Sequence, residues 1–157
     1  ARVSLSRDDP DARLEGAVTM SRYGFGVDGL TGRVPAAAAF APLPIASLDL
    51  TDVGAWFAGG LCESAEGQVR ATLSGEMAGM MLPAGLSGNV RCAEGALLLP
   101  LASQSGMEQL NLSSFADGRY RAEIVVRPAD ALVRDRLTGA GFTLGPNGYV
   151  RRLDGSF

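Results

Sequence analysis

Residues 119–127 read Arg119-Tyr120-Arg121-Ala122-Glu123-Ile124-Val125-Val126-Arg127. Side chains alternate between the two faces of a strand with a period of two. Tyr120, Ala122, Ile124 and Val126 therefore share one face, and Arg119, Arg121, Glu123 and Arg127 share the other. Such a segment is stable only as a half-buried strand, with one face on a core and one in water. Asp117-Gly118 stands just before it and is a hairpin signal. Leu110 and Leu112 alternate on the far side of that turn. Residues 107–127 are thus expected to form a β-hairpin with one wet face.

The same logic extends along the chain. Val69, Ala71 and Leu73 alternate with Gln68, Arg70 and Thr72. Leu86, Gly88, Val90 and Cys92 fall on one face, and Glu94-Gly95 turns the chain into the apolar residues 96–101. Leu14, Gly16, Val18 and Met20 share a face, as do Tyr23, Phe25 and Val27, with Asp28-Gly29 expected to turn that strand into residues 30–34. Leu-x-Gly-x-Val recurs at Leu14, Leu30 and Leu86, with looser copies at Ala65 and Leu153. In a strand this unit places two apolar side chains on one face with a gap between them, which favours bending. Gly-rich chains also produce such matches by chance, and the spacings here are irregular. Glycine supplies 21 of the 157 residues, roughly twice average usage, and is spread throughout, unlike a flexible linker.

Two helices are expected. One follows Pro128, with Leu132, Val133, Arg136 and Leu137 at helical spacing and Gly139 or Gly141 as its C-terminal cap. A second, shorter one is expected over residues 52–57, with Thr51 or Asp52 as N-cap. The expected fold is mainly β: a strongly curved antiparallel sheet built from meandering hairpins, with one or two short helices. It is expected to be a single domain over residues 1–157.

Composition narrows the chemistry. The chain has no His, which removes imidazole acid–base catalysis, His-activated Ser or Cys nucleophiles and His metal ligation. All the basic residues are Arg, dispersed in a chain of net charge −3. Nucleic-acid binders normally carry a basic excess, so the Arg119, Arg121, Arg127, Arg134 and Arg136 group reads as a solvated face. No Gly-x-Ser-x-Gly, GxGxxG or P-loop pattern is present; Gly24-Phe25-Gly26 and Gly139-Ala140-Gly141 are only weak glycine pairs. Asp8-Asp9-Pro10-Asp11 lacks the rest of an EF-hand pattern and reads as a turn. Asp49 and Asp52 are the pair a glycoside hydrolase would need, but a capping role fits them better. Phe40, Trp56 and Phe57 read as core residues in an apolar, Pro-rich stretch where a groove is conceivable. Cys62 and Cys92 are the two cysteines. They lack the partner base or CxxC spacing of a reactive thiol, and the alternatives are a disulfide or two buried free thiols. An even pair in a small β domain favours the disulfide, which implies an oxidising compartment. No apolar run approaches the ~18 residues of a membrane helix. No catalytic residue, cofactor or metal site is expected.

Several ordered segments resemble a known family. They are Cys62-Glu63-Ser64-Ala65-Glu66-Gly67, Leu86-Ser87-Gly88-Asn89-Val90-Arg91-Cys92, and Gly95-Ala96-Leu97-Leu98-Leu99-Pro100-Leu101-Ala102-Ser103-Gln104-Ser105-Gly106. Asp117-Gly118-Arg119-Tyr120 and the end segment, Gly141-Phe142 and Gly148-Tyr149 through Asp154-Gly155-Ser156-Phe157, follow in order. Together they resemble the C-terminal half of type II secretion system protein N, also called general secretion pathway protein N. The first sixty residues resemble it only through Leu-x-Gly-x-Val and Pro42-Leu43-Pro44-Ile45. The resemblance implies a periplasmic β domain held at the inner membrane of Gram-negative bacteria by an N-terminal anchor helix, here expected upstream of Ala1. It implies a role accessory to the machine that moves folded proteins across the outer membrane, with other inner-membrane or periplasmic secretion components as partners, and it carries no catalytic residues. The expected function is a non-catalytic structural or assembly subunit, neither an enzyme nor a nucleic-acid binder. The alternative is a periplasmic domain that binds or transfers a lipid or other hydrophobic ligand in a concave β-sheet groove.

Overall fold

The computed structural model describes residues 2–6, 13–40, 45–73, 76–77, 80–81, 85–127 and 131–156. Their strands are β1 (Arg2–Ser6), β2 (Arg13–Ser21), β3 (Gly24–Pro35), β4 (Ile45–Ala58), β5 (Leu61–Leu73), β6 (Glu76–Met77) and β7 (Met80–Met81). They continue with β8 (Gly85–Asn89), β9 (Arg91–Ala93), β10 (Ala96–Ala102), β11 (Glu108–Ser114), β12 (Arg119–Val126), β13 (Thr143–Gly145) and β14 (Gly148–Ser156). A single helical turn, α1 (Ala37–Phe40), joins β3 to β4, and helix α2 (Ala131–Gly139) lies between β12 and β13.

One antiparallel sheet runs β1-β2-β3-β4-β5-β8-β10-β11-β12-β14-β13, with β9 paired to β10 off this path and β6 and β7 forming a separate two-stranded ribbon. The sheet is open. Its two faces differ sharply. Cross-strand partners Leu48↔Ala71, Ala71↔Leu86, Leu101↔Leu110 and Leu110↔Ile124 put one apolar row on a common inner face. The partners one residue along, such as Asp49↔Arg70, Arg70↔Ser87 and Asn111↔Glu123, put polar groups on the outer face.

Among the described residues no second large sheet is present to cover the inner face. The sheet curves instead, and the core cluster draws on nearly its whole width, from Ile45, Leu48 and Val53 to Tyr120, Ala122, Ile124 and Val126. Five strand-to-strand steps separate β4 from β12. At ~4.8 Å per step a flat sheet would hold them about 24 Å apart. Yet Phe40, just before β4, meets the Tyr120 ring of β12 edge-on, with centroids 5.0 Å apart. Register shifts supply part of the curvature, lying in β2–β3, β3–β4 and β4–β5. The glycine of the last Leu-x-Gly-x-Val copy shows what the gap does. A Cβ on Gly155 would sit 2.6 Å from the Tyr120 hydroxyl, so the missing side chain makes room for the ring.

Helix α2 closes the far end of the core. Val133, Leu137 and Ala140 face inward, one helical turn apart, while Leu132 is exposed. The helix ends in a Schellman motif: Gly141 takes φ +92°, its N–H donates to the Thr138 carbonyl, and the Phe142 N–H donates to Leu137. Leu137 and Phe142 are both buried in the core. The residues expected to start this helix, 128–130, lie outside the described residues.

Two local expectations are corrected. Residues 52–57 are not a helix but the upper part of β4. There Val53, Ala55 and Phe57 point inward and are buried, which is a period of two. Asp52 is where the phase of β4 changes: its φ is +49°, and its N–H donates to Thr31 Oγ1 on β3. A hydroxyl from the neighbouring strand thus satisfies the amide that the sequence reading assigned to a helix start. Asp28-Gly29 is not a hairpin turn either. β3 runs through it from Gly24 to Pro35, and the extra residue is absorbed as a bulge between Val27 and Leu30. By contrast, Glu94-Gly95 does turn the chain, both residues having positive φ, and the hairpin of residues 107–127 forms as β11 and β12.

Phe40→Ala removes the ring that bridges the curve and is expected to lower stability by about 3–5 kcal/mol, read from the urea midpoint at unchanged m-value. Leu144→Ala, at a position 74% exposed, is expected to stay within about 0.5 kcal/mol.

Candidate interaction surfaces

The sequence singled out Cys62 and Cys92, and the structure joins them. Cys62 opens β5 and Cys92 lies in β9, with Cα atoms 5.5 Å apart across a sequence separation of 30. The link is embedded in a second, smaller apolar cluster of Ala55, Phe57 and Cys62, with Val27, Ala65, Cys92, Leu97 and Ala116 packed against it. The Cys62 N–H donates to the Gly95 carbonyl at 2.9 Å, so the β9–β10 turn is tied to β5 twice, once by sulfur and once by backbone. Closing a loop of this length contributes roughly 3–4 kcal/mol in the chain-entropy model.

The paired-carboxylate reading of Asp49 and Asp52 is not supported by their surroundings. Asp49 accepts from Arg33 Nε at 2.7 Å on the outer face, and Asp52 is exposed at the bulge. Asp8, Asp9 and Asp11 lie outside the described residues. Among the described residues no group of three or more His, Cys, Asp or Glu is placed to hold a metal ion. The arginine group of the C-terminal strands is spread over the outer face and edges. Arg121 bonds Asp154 at 3.0 Å across β12–β14, Arg119 bonds Asp117 at 2.6 Å, and Arg127 Nε donates to the Asn147 carbonyl at 2.7 Å. These are exposed pairs, and pairs of this kind add little to stability.

Phe40 and Phe57 are core residues, as read from the sequence, whereas Trp56 is not. The bulge at Asp52 turns Trp56 to the outer face, in register with Gly26 on β3 and Ser64 on β5. Nothing in the sequence marks that phase change except the pairing of Thr31 with Asp52, which is a tertiary contact.

Among the described residues, parts of the sheet open to a partner include an edge at β14 and an apolar strip on β2 and β3. Strand β13 covers β14 only at residues 148–150, so residues 151–156 of β14 have β12 on one side and no strand among the described residues on the other. At the opposite side, the inner face of β2 and β3 ends in Val18, Met20 and Phe25, exposed by 37%, 82% and 39%, at the margin of the core, where Phe25 stacks on Phe57. The rest of the inner face is filled by the protein's own side chains, notably Phe40, Tyr120, Leu137 and Phe142. No described helix is long and apolar enough to cross a membrane.

These features define an open-sheet, disulfide-stapled β protein with a filled inner face and a polar outer one. Its family follows from the whole chain. The chain belongs to the type II secretion system (T2SS), protein N family, whose model matches residues 1–155. Its role lies in type II secretion. The match reaches well beyond the C-terminal segments that carry the resemblance in the sequence, taking in β1 to β4 as well. No curated protein and no solved structure matches the chain.

The β11–β12 turn yields a pH prediction. The Arg119 backbone N–H, and after it the Arg119 guanidinium, hold the Asp117 carboxyl below its ordinary value of 3.8. A depressed carboxylate stabilises the fold above its unfolded pKa and loses that contribution as pH falls through the lowered folded value. An NMR titration is expected to place the Asp117 midpoint below 3.8, and Arg119→Ala to restore it only in part, because the backbone donor remains.

Proposed function

We propose that this chain is a non-catalytic assembly subunit of the type II secretion system, a single periplasmic domain that works by protein–protein contact. The observation that carries the proposal is the uncovered edge of β14. Residues 151–156 offer unpaired backbone donors and acceptors in an extended strand, alongside exposed Arg152, Asp154 and Ser156. An uncovered strand edge is a template for pairing with another chain. The Cys62–Cys92 disulfide supports an oxidising compartment, and family membership supports contact with other secretion components. Attachment to the inner membrane through an upstream helix belongs to the same reading.

Photo-crosslinking tests it in cells that secrete through this system. A photoreactive amino acid in place of Arg152 is expected to trap another secretion component. The same group in place of Glu123, inside the sheet on β12, is expected to trap far less. Equal trapping at both positions, or adducts that contain no secretion component, would overturn the proposal.

A second reading, the binding of a lipid or other hydrophobic ligand, is favoured only by the exposed strip of Val18, Met20 and Phe25. The filled core confines such a ligand to that end. A native mass spectrum of the periplasmic protein is expected to show a lipid-sized adduct on this reading, and to lose it in Met20→Glu.

A further inference from the structure

The outer face above β2 to β5 holds a groove of about 390 Å³, lined among others by Thr19, Asp28, Trp56, Ser64 and Glu66. Its floor is backbone. Gly26 and Gly54 lie in it without side chains, and the Trp56 indole spreads along Gly24 and Gly26, where a Cβ on either glycine would come within 2.8 Å of the ring. The cross-strand register Thr19↔Gly26, Gly26↔Trp56 and Trp56↔Ser64 sets two hydroxyls at either side of the indole. Glu66 pairs with Gly54 in the neighbouring row, and its carboxylate lies beside that glycine, 3.3 Å from where a Cβ would stand.

What these groups lack is a partner among the described residues. Phe25 stacks on Phe57, Phe40 meets Tyr120, and Tyr23 and Phe115 each carry an arginine over the ring. Among the described residues Trp56 has neither a ring nor a cation against it, and its indole N–H donates to no acceptor. Asp28 and Glu66 are exposed and form no ion pair with a described residue, whereas Asp49, Asp117 and Asp154 each pair with an arginine. Two other grooves contain their own cations. One has Asp49 together with Arg70, and the other has Arg127 and Arg134 without any acid. Only the Trp56 groove, among the three, has carboxylates and no basic residue in its lining.

We infer that the Trp56 groove is a receptor for an arginine or lysine side chain presented by an extended segment of a partner protein. The charge complement is direct: two carboxylates at the rim, with no cation among the described residues, favour a cationic occupant. The indole face attracts that cation through its quadrupole and covers the apolar stem that carries it. The glycine floor lets the segment approach the sheet closely. The indole N–H is left to donate to a carbonyl of the same segment, and the Thr19 and Ser64 hydroxyls flank it. A neutral apolar occupant would bury Asp28 and Glu66 unpaired, which is costly, and an anionic one would be repelled.

Trp56 is the sole tryptophan of the chain, so its emission reports on this groove alone. The disulfide-intact protein is titrated with acetyl-Arg-Arg-Arg-amide and, in parallel, with acetyl-Glu-Glu-Glu-amide. The arginine peptide is expected to change the emission saturably, with affinity that falls as salt rises, and the glutamate peptide is expected to leave it unchanged. Asp28→Asn with Glu66→Gln is expected to weaken the arginine peptide at least tenfold, while Asp49→Asn, outside the groove, leaves its affinity as it was. Asp28 and Glu66 are exposed and Asp49 is half-buried in its pair with Arg33, and far-UV circular dichroism checks that each variant keeps its strands. Thr19→Arg, which places a cation in the groove from within, is expected to block the peptide. The inference is overturned by an emission that does not saturate, by equal response to the two peptides, or by unchanged affinity in the double variant. Loss of the Arg152 crosslink leaves these outcomes untouched, because β14 lies on the other side of the sheet.

Discussion

A sheet with one apolar face must cover it, and among the described residues the only other sheet is the two-stranded ribbon of β6 and β7. Everything else follows from that constraint. The eleven-strand path is covered by its own curvature, by one turn of helix ahead of β4 and by α2. The contact of Phe40 with Tyr120 is where the curve is drawn together, and Gly155 leaves the room that Tyr120 needs. At ~25 cal/mol per Å² of apolar surface removed from water, rings of this size contribute most where they cross the curve. The cost appears at the margins. Val18, Met20 and Phe25 lie on the same face, at the edge of the core on β2 and β3, and stay exposed.

How much of this was legible depended on whether neighbours in sequence or neighbours in space set the local structure. The hairpin of β11 and β12 was legible because its alternation and its turn residues lie within twenty positions of one another. The Schellman end of α2 was legible for the same reason, since Gly141 acts on the turn beside it. Residues 52–57 were not. Thr51-Asp52 imitates a helix start, and only the hydroxyl of Thr31, reaching from β3, reveals a bulge. Asp28-Gly29 imitates a hairpin, and only the length of the partner strands shows that β3 continues. Both errors concern the same corner of the sheet, where register shifts accumulate. Bulges change the phase of a strand without changing its composition, so a pattern of period two cannot announce them.

The outer face was the harder part to read, because its residues look like ordinary surface. Trp56 was taken for core on composition, since large aromatics are usually buried. The bulge at Asp52 reverses that expectation by a single residue of phase. It moves Phe57 inward to stack on Phe25 and sends Trp56 outward over two glycines. The same step leaves Glu66 beside Gly54. A local irregularity in β4 therefore shapes both the small cluster around the disulfide and the groove on the opposite face.

That coupling bears on where function is able to reside in a one-layer protein. The inner face is committed to folding, so substitutions there act through stability and reach every property of the chain at once. The outer face and the β14 edge contribute little to stability, since their ion pairs are exposed and their strands are already paired on one side. Selection for a partner is free to act there without unfolding the protein. The Cys62–Cys92 link is placed on the boundary between the two, joining β5 to β9 opposite Phe57, further along β4 from the phase change at Asp52. By holding the top of β5 in register it fixes which residues of β4 and β5 face outward. The staple thus sets the surface as well as the stability of the fold, and a loss of contact with a partner on breaking it need not mean that the core has been lost.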